Sequence, residues 1–199
     1  MGMQSQRNAP AWLPWAGTAV LLFLVVATLV FWFLNSRSVL VPFSSNEAGV
    51  HLKYDSLLKN MPLGDQDSKD KIVLRLQQAN DDPELLVTVR YEDNLKPVAT
   101  AAKQDLRDAL TSNLNKTYPQ RFPQFHQVST RNFEVNGHKA SELVFTYKSP
   151  SGASVKQRFI LIAITDDKAA YLAIQSKEND FDRLNGRYFN AIASSLLPN

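Results

Sequence analysis

Three histidines, two pairs of adjacent aspartates and one serine-rich turn carry most of the reactive side chains in this 199-residue chain, which has no cysteine. His51, His126 and His138 are far apart in sequence. None stands in an HxxxH or HExxH pattern, the spacings that put two ligands on one face of a helix. Asp81-Asp82 and Asp166-Asp167 fall in turn-like stretches. Such pairs are expected to cap turns, since calcium needs a larger set of oxygens in a defined loop. Ser149-Pro150-Ser151-Gly152 lacks the first glycine of a nucleophile elbow, and no glycine-rich phosphate loop occurs. Without cysteine there is no disulfide, no thiolate nucleophile and no thiolate zinc site. The expectation is a chain that is not an enzyme, with no catalytic residue, cofactor or metal.

A binding role finds more support in residues 118–125, YPQRFPQF. Two prolines restrict the backbone there, and Tyr118, Arg121, Phe122 and Phe125 are of types enriched where proteins dock. The bland alternative is a loop whose aromatics fold back over a sheet edge. The formal charge is +3 and the pI near 9.1. Because the basic residues are scattered rather than clustered along a phosphate track, nucleic acid is not an expected partner.

Whatever the chain binds, residues 11–34 are expected to hold it at a lipid bilayer. The stretch AWLPWAGTAVLLFLVVATLVFWFL has no charged residue, and at about 1.5 Å per residue a helix of that length crosses a hydrocarbon core of about 30 Å. Trp12 and Trp15 stand at one end and Phe31, Trp32 and Phe33 at the other, suited to the two interfacial zones. A cleaved signal peptide would have an apolar core of about 7 to 15 residues and small residues at its end; this stretch is longer and ends in bulky rings. Arg7 and the free amine place the tail, residues 1–10, in the cytoplasm and the remainder of the chain on the extracytoplasmic side.

Residues 35–63 mix Ser, Asn, Pro and Gly without a lasting period and read as a linker, leaving residues 64–199 as one domain. Residues 71–78 and 84–91 are Val-, Ile- and Leu-rich and separated by a turn, which predicts a hairpin. Over 97–116, Val98, Ala102, Leu106, Leu110 and Leu114 recur every four positions, which predicts one amphipathic helix ended by Tyr118 and Pro119. Asn136-Gly137 marks a tight hairpin between a strand beginning near Phe125 and another over 142–148. Strands over 155–164 and 169–175 follow. FILIAI, residues 159–164, is apolar on both alternating sets, so the strand needs cover on both faces. Phe181, Leu184, Tyr188, Ile192 and Leu196 then repeat at helical spacing, with Asn179 or Asp180 as N-cap. The fold class is α+β: an α/β/α sandwich in β-β-α-β-β-β-β-α order with a mainly antiparallel sheet of about six strands, behind one N-terminal transmembrane helix.

The hairpin at Asn136-Gly137, the strand ending Phe145-Thr146-Tyr147, the Phe159 to Ile164 strand, Tyr171-Leu172-Ala173-Ile174, and the closing helix with Phe181, Phe189, Ile192 and Ser195 resemble the PsbP-like superfamily. That superfamily includes extrinsic proteins of photosystem II and the Ran-binding Mog proteins. The resemblance spans roughly residues 71–196 and implies a non-enzymatic binding or assembly module, of a kind found in lumenal, periplasmic and lipid-anchored forms. Joined to the apolar stretch, it leads to the expectation of an accessory subunit or assembly factor of a membrane-associated protein complex. The alternatives are an extracytoplasmic small-molecule or envelope-polymer binding domain, including a hydrolase with an unrecognised site, and a subunit whose helix makes the main contacts.

Overall fold

A computed structural model describes residues 23–28, 39–78 and 85–198. The chain divides into two units, Met1–Val39 and Leu40–Asn199. In the first, residues 23–28 are helical and Phe23, Leu24, Val25 and Val26 are exposed. The rest of the stretch expected to span a membrane, including Trp12, Trp15, Phe31, Trp32 and Phe33, lies outside the described residues. Among the described residues no helix is long and apolar enough to cross a membrane.

The second unit runs β1 (Leu40–Ser45), β2 (Val50–Asp55), β3 (Leu58–Asn60), α1 (Asp65–Lys69), β4 (Ile72–Gln78), β5 (Leu86–Glu92), α2 (Lys96–Ala102), α3 (Leu106–Arg121), β6 (His126–Val135), β7 (His138–Lys148), β8 (Ser154–Ala163) and β9 (Ala169–Lys177). It closes with α4 (Glu178–Leu184), a π-helical turn (Asn185–Phe189), α5 (Asn190–Ser195) and β10 (Leu197–Pro198). A seven-stranded sheet has the order β3-β4-β5-β9-β8-β7-β6, and a three-stranded sheet the order β1-β2-β10. Every pairing is antiparallel.

The two-sided strand is where the sequence placed it. Phe159 and Leu161 of β8 join a core with Leu106, Leu110 and Tyr118 of α3, while Ile160 and Ile162 join another with Phe181, Phe189 and Ile192 from the closing helices. The small sheet completes the second layer, since Val50, Leu52 and Tyr54 of β2 pack into that same core. At the hairpin turn Asn136 has φ 50° and Gly137 φ 80°, the double left-handed conformation that this dipeptide accepts most readily.

Several expectations need correction. Residues 40–60 are not linker: they form β1, β2 and β3, so the compact unit begins at Leu40. In β2 the apolar residues Val50, Leu52 and Tyr54 alternate with His51 and Lys53, a period-two pattern too short to stand out. Pro42 sits in β1, an outer strand whose free side needs no N–H. The main sheet accordingly has seven strands rather than six, β3 being the addition.

The single helix expected over 97–116 is two helices. Lys103 turns left-handed at φ 54° and Asp105 is extended, so the four-residue period carries across a break. Val98 and Ala102 are exposed, whereas Leu106 and Leu110 are buried. Nor do Tyr118 and Pro119 end the second helix, which runs on to Arg121 with Pro119 inside its last turn. A proline inside a helix costs roughly 3 kcal/mol. Here the Tyr118 ring packs edge-on to Phe122, Phe145 and Phe159, and that tertiary contact holds the last turn.

The closing helix begins at Glu178 with no side-chain cap from Asn179 or Asp180. A π-helical turn over Asn185–Phe189 interrupts it. Tyr188 and Phe189, both in that turn, are buried in the core.

Candidate binding surfaces

The chemistry-bearing residues singled out from sequence are dispersed. His51 lies in β2, and His126 and His138 stand at opposite ends of the β6–β7 hairpin. The Nδ1 of His138 is 3.3 Å from the carbonyl oxygen of Ala163. Among the described residues no cluster of His, Asp and Glu could hold a metal ion. Asp167 accepts the backbone N–H of Lys96 at 2.8 Å, at the start of α2, and Asp166 lies 3.3 Å from the Lys96 ammonium. Asp81 and Asp82 lie outside the described residues. Ser149 and Ser151 share a hydroxyl hydrogen bond in their turn.

Of the stretch expected to dock a partner, Arg121 is exposed, Phe122 and Phe125 are half-buried, and Tyr118 is buried. Their rings surround Phe145. Burial pushes the Tyr118 hydroxyl up to about 12. Burial, together with the carboxylate of Glu92 that accepts its O–H at 2.8 Å, also raises Tyr171.

Two surface features have the shape of binding sites. One is an open cleft of about 630 Å³ where the α2–α3 break meets the tips of the β6–β7 and β8–β9 hairpins. Lys96, Lys103, Arg107 and Lys139 line it, against Asp105 and Asp166. Asp105 caps α3 by accepting the N–H of Asp108 at 2.9 Å, and its other oxygen takes a hydrogen bond from Lys139 at 2.8 Å. Burial works to raise its carboxyl, but the hydrogen bonds from Lys139 and Asp108 outweigh that and hold it below the ordinary carboxylate range.

Because the folded value is the lower one, the stabilisation is present above the unfolded value of about 3.9 and is lost as pH falls through the folded value. Asp105→Ala is expected to lower stability by about 1 kcal/mol at neutral pH, chiefly through the lost cap. The pair with exposed Lys139 adds little. Urea denaturation across pH should show the two proteins converging in acid; a gap that persists unchanged there would contradict this account of the cap.

The other feature is the outer strand β6. It has ten residues, of which only Phe133 and Val135 are even half-buried. The two-residue turn fixes which backbone groups are free. Val135 pairs with His138, Phe133 with Ala140 and Arg131 with Glu142; counting from the turn, these are the pairs that exchange N–H···O=C bonds. Thr130, Asn132 and Glu134 therefore turn their N–H and C=O groups outward. A bulge at Val128 interrupts the ladder only near the strand's start.

Arg131, Phe133 and Val135 line a groove of about 420 Å³ on one face of this edge, together with Arg158 and Ile160 of β8 and the C-terminal helical segment from Asn190 to Leu196. Buried Glu142 anchors it. Its Oε1 accepts from Arg131 Nε at 2.9 Å and its Oε2 from Arg158 Nε at 2.5 Å. Arg158 also donates to the side-chain oxygens of Asn185 and Asn190.

Sequence reasoning missed this cluster, although half of it was within reach. Arg131 and Glu142 are equally distant from the Asn136-Gly137 turn, so the hairpin register alone sets them opposite one another. Arg158 enters through the β7–β8 register, opposite Val144.

An antiparallel seven-stranded sheet covered on one face by α2 and α3, and on the other by α4, α5 and a small sheet, defines an α+β sandwich. No family model matches the chain, and no curated protein matches it. Solved structures do. A cyanobacterial PsbP (CyanoP) from Synechocystis sp. PCC 6803 superimposes with a TM-score of 0.59 at 11% identity, over 82% of this chain and 95% of that one. LpqN of Mycobacterium tuberculosis, described as involved in cell envelope biogenesis, superimposes with a TM-score of 0.53 at 13% identity, over 83% of this chain and 94% of that one. The chain has the PsbP-like fold.

Proposed function

We propose that this chain is a membrane-tethered, non-enzymatic module whose PsbP-like domain, on the extracytoplasmic side, binds and helps assemble a membrane-associated protein complex. The observation that carries the reading is β6: a long outer strand with outward backbone donors and acceptors beside a groove of mixed apolar and cationic lining. Unsatisfied sheet edges of that length are hazards that proteins shorten, twist or cover; a partner strand is one such cover. The uncharged stretch over 11–34 supplies the tether, and Arg7 with the amino terminus favours the cytoplasm for the tail.

The protein is expected to stay with the membrane pellet through an alkaline wash, and crosslinking in the native membrane followed by mass spectrometry is expected to recover a stable membrane partner. Release by the wash removes the tether, and elution alone under mild detergent removes the assembly role.

The competing reading, a domain for a small molecule or an envelope polymer, draws on the cleft beside Lys103. Its lysines and arginine suit an anionic ligand. Saturable anion binding abolished by Lys103→Ala, with the membrane partner absent, would favour it.

A further inference from the structure

Building on the binding role proposed above, we infer that the β6 edge takes an extended peptide segment as an added strand, and that the segment carries an acidic side chain opposite Arg131 and apolar side chains opposite Phe133 and Val135. The backbone geometry sets the mode and the groove sets the chemistry.

From Ser129 to Val135 the ladder with β7 is regular, and the outward groups of Thr130, Asn132 and Glu134 form a row at every second residue. An incoming antiparallel strand bonds to these three. Its residues opposite Arg131, Phe133 and Val135 then share their face and lie over the groove. Cross-strand neighbours on one face interact directly, so each groove position selects its own partner.

Phe133, Val135, Ile160, Ala193 and Leu196 form the apolar part of the groove. At its other end two guanidinium groups share the single carboxylate of Glu142, leaving one positive charge uncompensated. Arg131 is the one free to turn to a ligand, being 60% exposed against 13% for Arg158. Read from its amino end, the fitting segment runs apolar, any residue, apolar, any residue, acidic. A basic residue at the last position would meet Arg131 with like charge.

The probe is the synthetic peptide acetyl-Thr-Val-Thr-Val-Thr-Glu-Thr-amide, labelled for fluorescence anisotropy and titrated with the full chain in mild detergent. It is expected to bind about tenfold more tightly than the version with Lys in place of Glu. Asn132→Pro removes one outward N–H while leaving the bonds to β7 in place, because proline is tolerated where the N–H faces solvent; it is expected to weaken binding about tenfold. A peptide N-methylated on the residues that bond to the edge makes the same test without altering the protein, and it too should lose binding.

Equal binding of the Glu and Lys peptides, or of the methylated and plain peptides, overturns the inference. So does a dimer of the full chain that Asn132→Pro dissolves, which assigns the edge to a second copy. Recovery of the native membrane partner by Asn132→Pro overturns the inference but leaves the binding module standing, whereas failure of the unaltered chain to recover any partner removes both.

Discussion

Glu142→Ala is expected to lower the unfolding free energy by about 3–5 kcal/mol, the cost of stranding a buried charge whose counter-ion has been removed. The Glu142 carboxylate is buried, and of its two partners Arg158 is the less exposed, its side chain 13% accessible against 60% for Arg131. Once Glu142 is gone, the Arg158 guanidinium keeps the side-chain oxygens of Asn185 and Asn190, which satisfy donors but supply no charge. Arg131→Ala should change stability by less than about 1 kcal/mol, as surface pairs do, because water already reaches most of that side chain.

The asymmetry between the two arginines is what urea denaturation would read. Replacing Glu142 and Arg158 together, Glu142→Leu with Arg158→Met, is expected to recover most of the loss, since an apolar pair of similar volume needs no compensation. A Glu142→Ala protein within about 1 kcal/mol of the parent would mean that water reaches Arg158 more freely than the packing allows.

What could be read from sequence was what neighbours in sequence decide. The Asn136-Gly137 turn needs only its own two residues to accept positive φ, and both do. The apolar residues of the β8 strand and the closing helix, Phe181, Leu184, Tyr188, Ile192 and Leu196, are buried as their spacing requires, even though a π turn shifts the phase between them.

What could not be read depends on residues far apart. β2 gains one flank from Leu197 and Pro198, which pair with His51 and Val50 from the other end of the chain. No window around residue 50 contains that partner, so the segment read as linker. The break between α2 and α3 was hidden for another reason. Lys103 adopts a left-handed conformation without the glycine that usually signals it, while the apolar period runs on through Leu114. The position of β6 at the sheet's edge is a property of strand order, which no single strand encodes. The candidate groove inherits that limit, since its Arg131–Glu142 pair follows from one local turn and its remaining walls do not.

Phe145→Ala is expected to cost about 3–5 kcal/mol, in the range for emptying a large aromatic from a packed core. Phe145 is fully buried, with ring centroids of Tyr118, Phe122, Phe125 and Tyr147 at 5.4, 5.1, 5.1 and 5.9 Å. Its removal opens a cavity under the end of α3 and takes away one edge-on ring contact, with Tyr118, worth about 0.5–1.5 kcal/mol, along with three tilted ones. Phe122→Ala should cost less, because its ring is half-exposed and the site can collapse around a smaller side chain.

The pair of variants bears on residues 118–125 as a docking stretch. Aromatics that pack around Phe145 are not free to reach a partner, so a contact made by this stretch must pass through Arg121, its exposed cation. Arg121→Ala should leave stability within about 0.5 kcal/mol. Loss of the membrane partner in that variant, with folding intact, would give the stretch a share in docking beside β6. Retention of the partner there, alongside full destabilisation by Phe145→Ala, assigns Tyr118, Phe122 and Phe125 to the core and leaves the sheet edge to do the binding.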